Sequence, residues 1–331
     1  MKLEGSLEPP AGLGAGRRFF LVGYLPTYAA LLFLLSFVWA GARGWQEPEG
    51  GSLAFAQAWK TAADLKAGEV LGIVLAVTVA ALLLQPLQLG MVRFLEGNWP
   101  GPLGRDLAVK RQLARRQRWM DAAADLPQDP AALTDEAVQR AGLAGAELRR
   151  RYPLPDHLVR ATALGNALAA AEDSAGRVYG MDAVVSWPRL YAVLGDQTRA
   201  VVDDQRDRLD GSARMAVTMA VTAVASGVLL VRTGWWLLLA LVPVVVAAAA
   251  YHGAVQTARA YGESVHVAFD LHRFDLLTAL RVPRPATHGD EVAKHAQLND
   301  LWRQGVPLPP DFAYLDDEAT AGSMIGNGGQ P

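Results

Sequence analysis

The sequence predicts an all-α integral membrane protein, with four transmembrane helices in two hairpins and a helical cytoplasmic domain. Three observations carry that expectation. First, the apolar residues are bunched. Residues 19–40, 70–92 and 215–231 hold no charged side chain, and between 233 and 258 only Tyr251 and His252 can titrate. Such a run spans a bilayer at about 18 residues or more, and the third run lies at that limit. Second, lysine and arginine are unevenly shared between the connecting segments. Third, the remaining patterns have the helical period and no sustained strand-like alternation. Hydrophobic residues make up 51% and charged residues 19% of the chain, against about 25% charged in soluble domains. That shift fits either a large core or a membrane, and the bunching decides for the membrane.

Residues 1–18 are Gly- and Pro-rich, which predicts a disordered tail ending in Arg17-Arg18. The first hairpin covers 19–96, with spans at about 19–40 and 70–92. Its first run is too long for a signal peptide, and Ala40-Gly41-Ala42 is its best small-residue cleavage candidate. Pro26 falls in the first turns of that span. Between the spans, residues 53–65 place Phe55 and Trp59 on one face, and Trp39 and Trp45 suit an interfacial belt. The second span ends at Gly97-Asn98-Trp99-Pro100-Gly101-Pro102, which cannot continue a helix.

Residues 97–213 form a soluble helical segment, with helices expected over 103–124, 133–152 and 156–177 and another opening at Trp187-Pro188 behind Ser186 as cap. A second hairpin covers 214–258, with spans at about 215–231 and 235–253 joined by the turn Arg232-Thr233-Gly234. The fourth helix meets no proline between Pro243 and Pro283. It is therefore expected to run unbroken to about Leu280, within a cytoplasmic extension covering 259–304. Residues 305–331 are acidic and Gly/Pro-rich, predicting a disordered tail.

Orientation follows the positive-inside rule. Arg93, Arg105, Lys110, Arg111, Arg115, Arg116 and Arg118 follow the second span, and Arg259, Arg273, Arg281 and Arg284 follow the fourth. The two opposite segments hold only Arg43, Lys60, Lys66 and Arg232. Both termini and the 93–213 segment are thus expected in the cytoplasm. The excess of arginine over lysine, with abundant Ala, Gly, Leu and Pro, fits the codon usage of a GC-rich bacterium, hence its cell membrane.

Several features carry candidate chemistry. On the fourth helix, His252, Gln256, Arg259, Glu263, His266, Asp270 and Arg273 fall in a narrow arc, a polar ladder roughly 30 Å long at 1.5 Å per residue. Three readings fit it: a salt-bridged face, solvated or between subunits; a wet vestibule or ion path; or a metal site of Glu263, His266 and Asp270. His252, an ionisable group inside a span, is a functional candidate by position. On the second span Thr78, Gln85, Gln88 and Glu96 share a face, suited to hydrogen bonds between helices. Arg105, Lys110, Arg111, Arg115, Arg116 and Arg118, beside Trp119, suit contact with anionic lipid headgroups. The third span carries the small residues Ala216, Ala220, Ala223 and Gly227, which favour close helix approach.

Two enzyme patterns are near misses. Asp203-Asp204-Gln205-Arg206-Asp207 matches the DDxxD of prenyl-diphosphate enzymes, yet has no second aspartate-rich partner. Asp207–Arg214 resembles the opening of the CDP-alcohol phosphotransferase signature, but no Asp or Glu follows between Asp210 and Glu263. Walker, HExxH, GxSxG and Rossmann patterns are absent. No cysteine is present, which excludes disulfides, thiolate metal sites and cysteine nucleophiles. The net charge of −2 argues against nucleic-acid binding. The expected function is therefore non-enzymatic, with no cofactor and no resident metal: a membrane scaffold, sensor or assembly component acting through its cytoplasmic domain. The alternative is a homo-oligomeric channel lined by the polar faces of the second and fourth helices. The expected partners are the lipid bilayer, further copies of the chain and a cytoplasmic protein.

Overall fold

A computed structural model describes residues 25–46, 48, 52–97, 99, 104–127, 129 and 132–315. Among them every regular element is a helix and none is a strand. The α-helices are α1 (Leu25–Trp39), α2 (Phe55–Ala63), α3 (Ala67–Leu95), α4 (Arg105–Ala124) and α5 (Asp135–Arg151). They continue with α6 (Ala163–Ser174), α7 (Ala183–Val193), α8 (Asp196–Leu229), α9 (Leu241–Ala279) and α10 (His288–Gln304). Short 3-10 turns occupy Asp156–Leu158, Arg177–Tyr179 and Gly234–Ala240. The chain divides into two compact units, residues 1–98 with 208–256, and residues 99–207 with 257–331.

The first unit is apolar. α8 and α9, the latter led in by its 3-10 turn, are each long and apolar enough to cross a membrane. α2 and the first part of α3 pass the same criterion only as a pair bent by 110°, and α1 is apolar but only 15 residues long. Leu71, Leu75 and Leu83 of α3, Val224 of α8 and Val245 of α9 are exposed. An apolar exposed surface of that extent marks a membrane or partner face. Among its described residues a tight cluster buries Phe37, Ala40, Ala42, Leu53, Ala58 and Leu230, with Phe55 and Trp236 packed against them. Backbone bonds tie its loops: Ala54 N–H donates to the Ala40 carbonyl (2.9 Å) and Gly44 N–H to Leu229 (3.2 Å). Along α8 the buried line is Ala213, Ala216, Val217, Thr222, Ser226 and Leu230. Of the expected small-residue stripe only Ala216 lies in it, and Ala220 is exposed. Thr222 fits because its hydroxyl donates back to Thr218 (2.7 Å), as helical Ser and Thr do.

The second unit is a helical domain with its own core. Ala175, Met181, Ala183, Leu190, Leu194, Val265, Ala268, Phe269 and Leu276 are buried together. Local chemistry sets the helix starts. Thr134, Thr162, Asp182 and Thr287 each cap a helix, their side-chain oxygens accepting a backbone N–H. Two starts therefore differ from expectation. α6 begins behind Thr162, not at Asp156, because Pro155 leads into a 3-10 turn. α7 begins behind Asp182, leaving Ser186 buried and Pro188 inside the helix. Gly176 has a φ of +70°, and a Cβ there would lie 2.7 Å from the Phe269 ring, so only glycine lets this turn close over the core.

α9 is unbroken to Ala279, as the proline-free stretch implies. The segment beyond it is not one extension. Arg281, at φ +56°, turns the chain, Val282 N–H bonds the Leu277 carbonyl (2.9 Å), and α10 starts afresh. Leu308 and Phe312, which composition assigns to a tail, pack against Leu277, Val282 and Leu298, and Leu315 N–H donates to Arg281 (2.7 Å).

Candidate functional site

α9 brings its ladder residues to very different surroundings. His252 is exposed, its Nδ1 bonded to its own Ala248 carbonyl (2.8 Å). Gln256, Glu263 and Asp270 are also exposed, while Arg259, His266 and Arg273 are half-buried. His266 donates from Nδ1 to Gly262 (2.8 Å), and its Nε2 meets the Ser174 hydroxyl of α6 (2.9 Å). With both ring nitrogens engaged, it does not pair with Asp270, which instead accepts from the Tyr179 hydroxyl (2.8 Å). That carboxylate holds the phenol proton, raising the Tyr179 pKa above its ordinary value. Arg273 donates from Nε to the buried Glu291 of α10 (2.8 Å) and lies over the Tyr179 ring. The ladder's lower half is thus a set of staples between α9 and its neighbours. Glu263, His266 and Asp270 do not converge, and no group of three metal-type ligands exists among the described residues.

The helix-spanning candidates are partly placed. Thr78 donates to Val74 (2.6 Å) and bonds the Tyr28 hydroxyl of α1, so it does link two helices. The side chains of Gln85 and Gln88 lie outside what the structure describes. In the Asp203–Asp207 segment, Asp203 accepts from Tyr191 (2.7 Å).

The basic stretch of α4 divides in two. Arg105, Lys110, Arg111, Arg115 and Arg118 are exposed. Arg116 is a correction to the headgroup-contact set. It is buried, with one guanidinium nitrogen on Asp156 and the other on the Leu154 carbonyl, so it anchors α4 to the chain after α5. A bidentate arginine held this way is spent on structure.

Beside it, α4, the end of α5, the start of α6 and α9 line an open cavity of about 560 Å³, formed by Gln112, Arg115, Arg118, Trp119, Arg151, Tyr152 and Arg259, with Ala122 and Ala163. Positions 112, 115, 119 and 122 recur at helical spacing and present one face of α4. Arg151 closes the last turn of α5, where a cation suits the helix dipole. It pairs with Glu147 (2.7 Å) and stacks over Trp119, 4.5 Å from the ring centre. Tyr152, buried, donates to the Gln112 side-chain oxygen (3.0 Å), and burial pushes its pKa up. Arg259 reaches in from α9. Burial and then the nearby Arg151 disfavour its charge, with Glu147 opposing them. Arg115 and Arg118 make no ion pair among the described residues. Four guanidinium groups therefore face one space, and Glu147 pairs with one of them, Arg151.

Arg115, Arg118 and Arg259 were legible in the sequence as members of two separate features. Gln112, Arg151 and Tyr152 were not. Their only local signal is the Arg149-Arg150-Arg151-Tyr152 run before Pro153. No family model matches this chain, and neither a curated protein nor a solved structure resembles it.

Proposed function

We propose that the chain is a four-span protein of a bacterial cell membrane, acting non-enzymatically as a scaffold, sensor or assembly component through its second unit. The observation that carries this reading is the contrast between the surfaces of the two units. The first leaves long rows of Leu and Val exposed on α3, α8 and α9, while the second closes a core around Phe269 and Leu190, with apolar side chains left exposed singly, and carries its own polar staples. In this reading α1, α3, α8 and α9 are the spans. The lysine and arginine distribution then puts both termini and the second unit in the cytoplasm.

The test uses the natural absence of cysteine. Single cysteines at Gln46, Gly142 and Asp311, all exposed, are offered to a membrane-impermeant thiol reagent on intact cells. Only the Gln46 site is expected to react, and all three should react after permeabilisation. Labelling of the Gly142 or Asp311 site in intact cells would overturn the topology.

A second reading, a homo-oligomeric channel, draws on the exposed His252 at the end of the fourth span, since polar side chains at membrane depth face an interior or water. It requires ion current from the protein reconstituted in planar bilayers, and an oligomer by native mass measurement. A silent monomer would remove it.

A further inference from the structure

We propose that the cavity lined by α4, α5, α6 and α9 is a receptor for a phosphate-bearing anion, a phosphomonoester or diphosphate carried either by a lipid headgroup or by a soluble metabolite. It is built wholly from the second unit, so it stands whether or not the topology above does. Three observations converge on it. Arg115, Arg118, Arg151 and Arg259 line one space; Arg151 pairs with Glu147, while Arg115 and Arg118 make no ion pair among the described residues. Gathering like charges costs free energy that an anion would recover. Second, the volume of about 560 Å³ falls within the range of small-molecule pockets. Third, the uncharged lining is ordered for recognition. Tyr152 occupies the oxygen of the buried Gln112 (3.0 Å), which leaves the amide nitrogen as a donor. Trp119 and Glu147 together fix the Arg151 guanidinium. Arginine is the residue suited to such an anion, because its planar fork donates two parallel hydrogen bonds to phosphate oxygens. Arg116 is excluded, since both its terminal nitrogens are committed to Asp156 and Leu154.

The experiment measures thermal stability of the full-length protein in detergent at physiological salt, titrated in one arm with inorganic pyrophosphate and in the other with phosphatidic acid in the micelles. A ligand that binds the folded state raises the melting temperature saturably. Two double variants remove the same charge from exposed positions of the same helix: Arg115→Gln with Arg118→Gln inside the cavity, and Lys110→Gln with Arg111→Gln outside it. A saturable rise is expected for the parent and the outer variant. The inner variant should need at least about ten-fold more ligand, because two charge-assisted bonds are lost. Its melting temperature without ligand reports whether it has kept its fold. If it has not, Arg118→Gln alone replaces it, with the same loss expected. A response to pyrophosphate supports a soluble phosphate, a response to phosphatidic acid alone supports a headgroup, and mutual competition supports one site for both. No saturable response in either arm, or equal weakening by the inner and outer variants, would overturn the proposal.

Discussion

The two units solve the same problem in opposite ways. In the first, Ser36, Thr222 and His252 bond back into their own helix, to Phe33, Thr218 and Ala248, and Thr78 bonds both Val74 and, across to α1, Tyr28. In the second, such local bonds are joined by a set that bridges elements: His266 to Ser174, Arg273 to Glu291, His295 to Tyr179, Asn299 to Gly180. Packing follows the same division. Leucines and valines of the first unit remain uncovered, while Phe269 and Leu190 of the second are fully buried. On the proposed membrane reading the physical reason is the solvent. Lipid tails cover apolar side chains at no cost but offer no hydrogen bonds, so polar side chains bond within their own helix or to a neighbouring one. Water drives apolar burial and leaves elements to be joined by cores and polar staples.

The largest effect that would test this contrast is a truncation in each unit. Phe269→Ala should cost about 3–5 kcal/mol by opening a hole in a closed core. Leu75→Ala, on the uncovered face of α3, should cost less than about 1 kcal/mol in lipid, where the transfer term vanishes. Differential scanning calorimetry of both variants in nanodiscs reads the difference, and equal losses would break the comparison.

A smaller effect concerns helix approach. A Cβ at Gly262 would lie 2.8 Å from that of Ala171, so Gly262→Ala should cost about 1–3 kcal/mol by overpacking α9 against α6. At Gly227 of α8 nothing stands within 4 Å, and Gly227→Ala should gain up to about 1 kcal/mol of helix propensity. Chemical denaturation of the two variants gives opposite signs on this account.

The smallest effect is pH dependence. His295 of α10 is buried, donates from Nδ1 to Tyr179 (2.7 Å) and leaves Nε2 without a partner among the described residues. Burial lowers its pKa below the ordinary 6.5, overriding the Tyr179 bond and Glu291 that raise it. The folded state therefore binds this proton less readily than the unfolded state. Its contribution is fully present above about pH 6.5 and is lost as pH falls toward the depressed folded value. Melting of the parent should decline across that window more steeply than melting of His295→Gln. Identical slopes would place the histidine in contact with water.

How much of this was readable in the sequence depends on range. The end of α9 was legible to within a residue because nothing between Pro243 and Ala279 can break a helix, whereas its start, expected near residue 235, lies at Leu241 behind the 3-10 turn Gly234–Ala240. The starts of α6 and α7 were misplaced because the caps that act are Thr162 and Asp182, which accept the first backbone N–H groups, rather than residues near Asp156 or Ser186. The arginine cavity was legible only in pieces. Arg115 and Arg118 read as membrane-surface charge and Arg259 as part of a ladder. Arg151 and Tyr152 join them only because α4 and α5 fold back on each other, a contact that periodicity does not encode. Arg116 misled for the same reason, since its partner Asp156 lies 40 residues away.

The central claim is that equal geometric exposure means lipid in one unit and water in the other. Leu75, Val224 and Val245 of the first unit are 63%, 70% and 66% exposed, and Leu143, Val184 and Leu271 of the second are 62%, 60% and 63% exposed. Replaced singly by cysteine in the cysteine-free chain and reconstituted in nanodiscs, these six positions report their solvent by the rate of reaction with a water-soluble maleimide. Only a hydrated thiol ionises readily, so the first three should react at least about ten-fold more slowly than the last three. Six similar rates would show one solvent around both units and contradict the account.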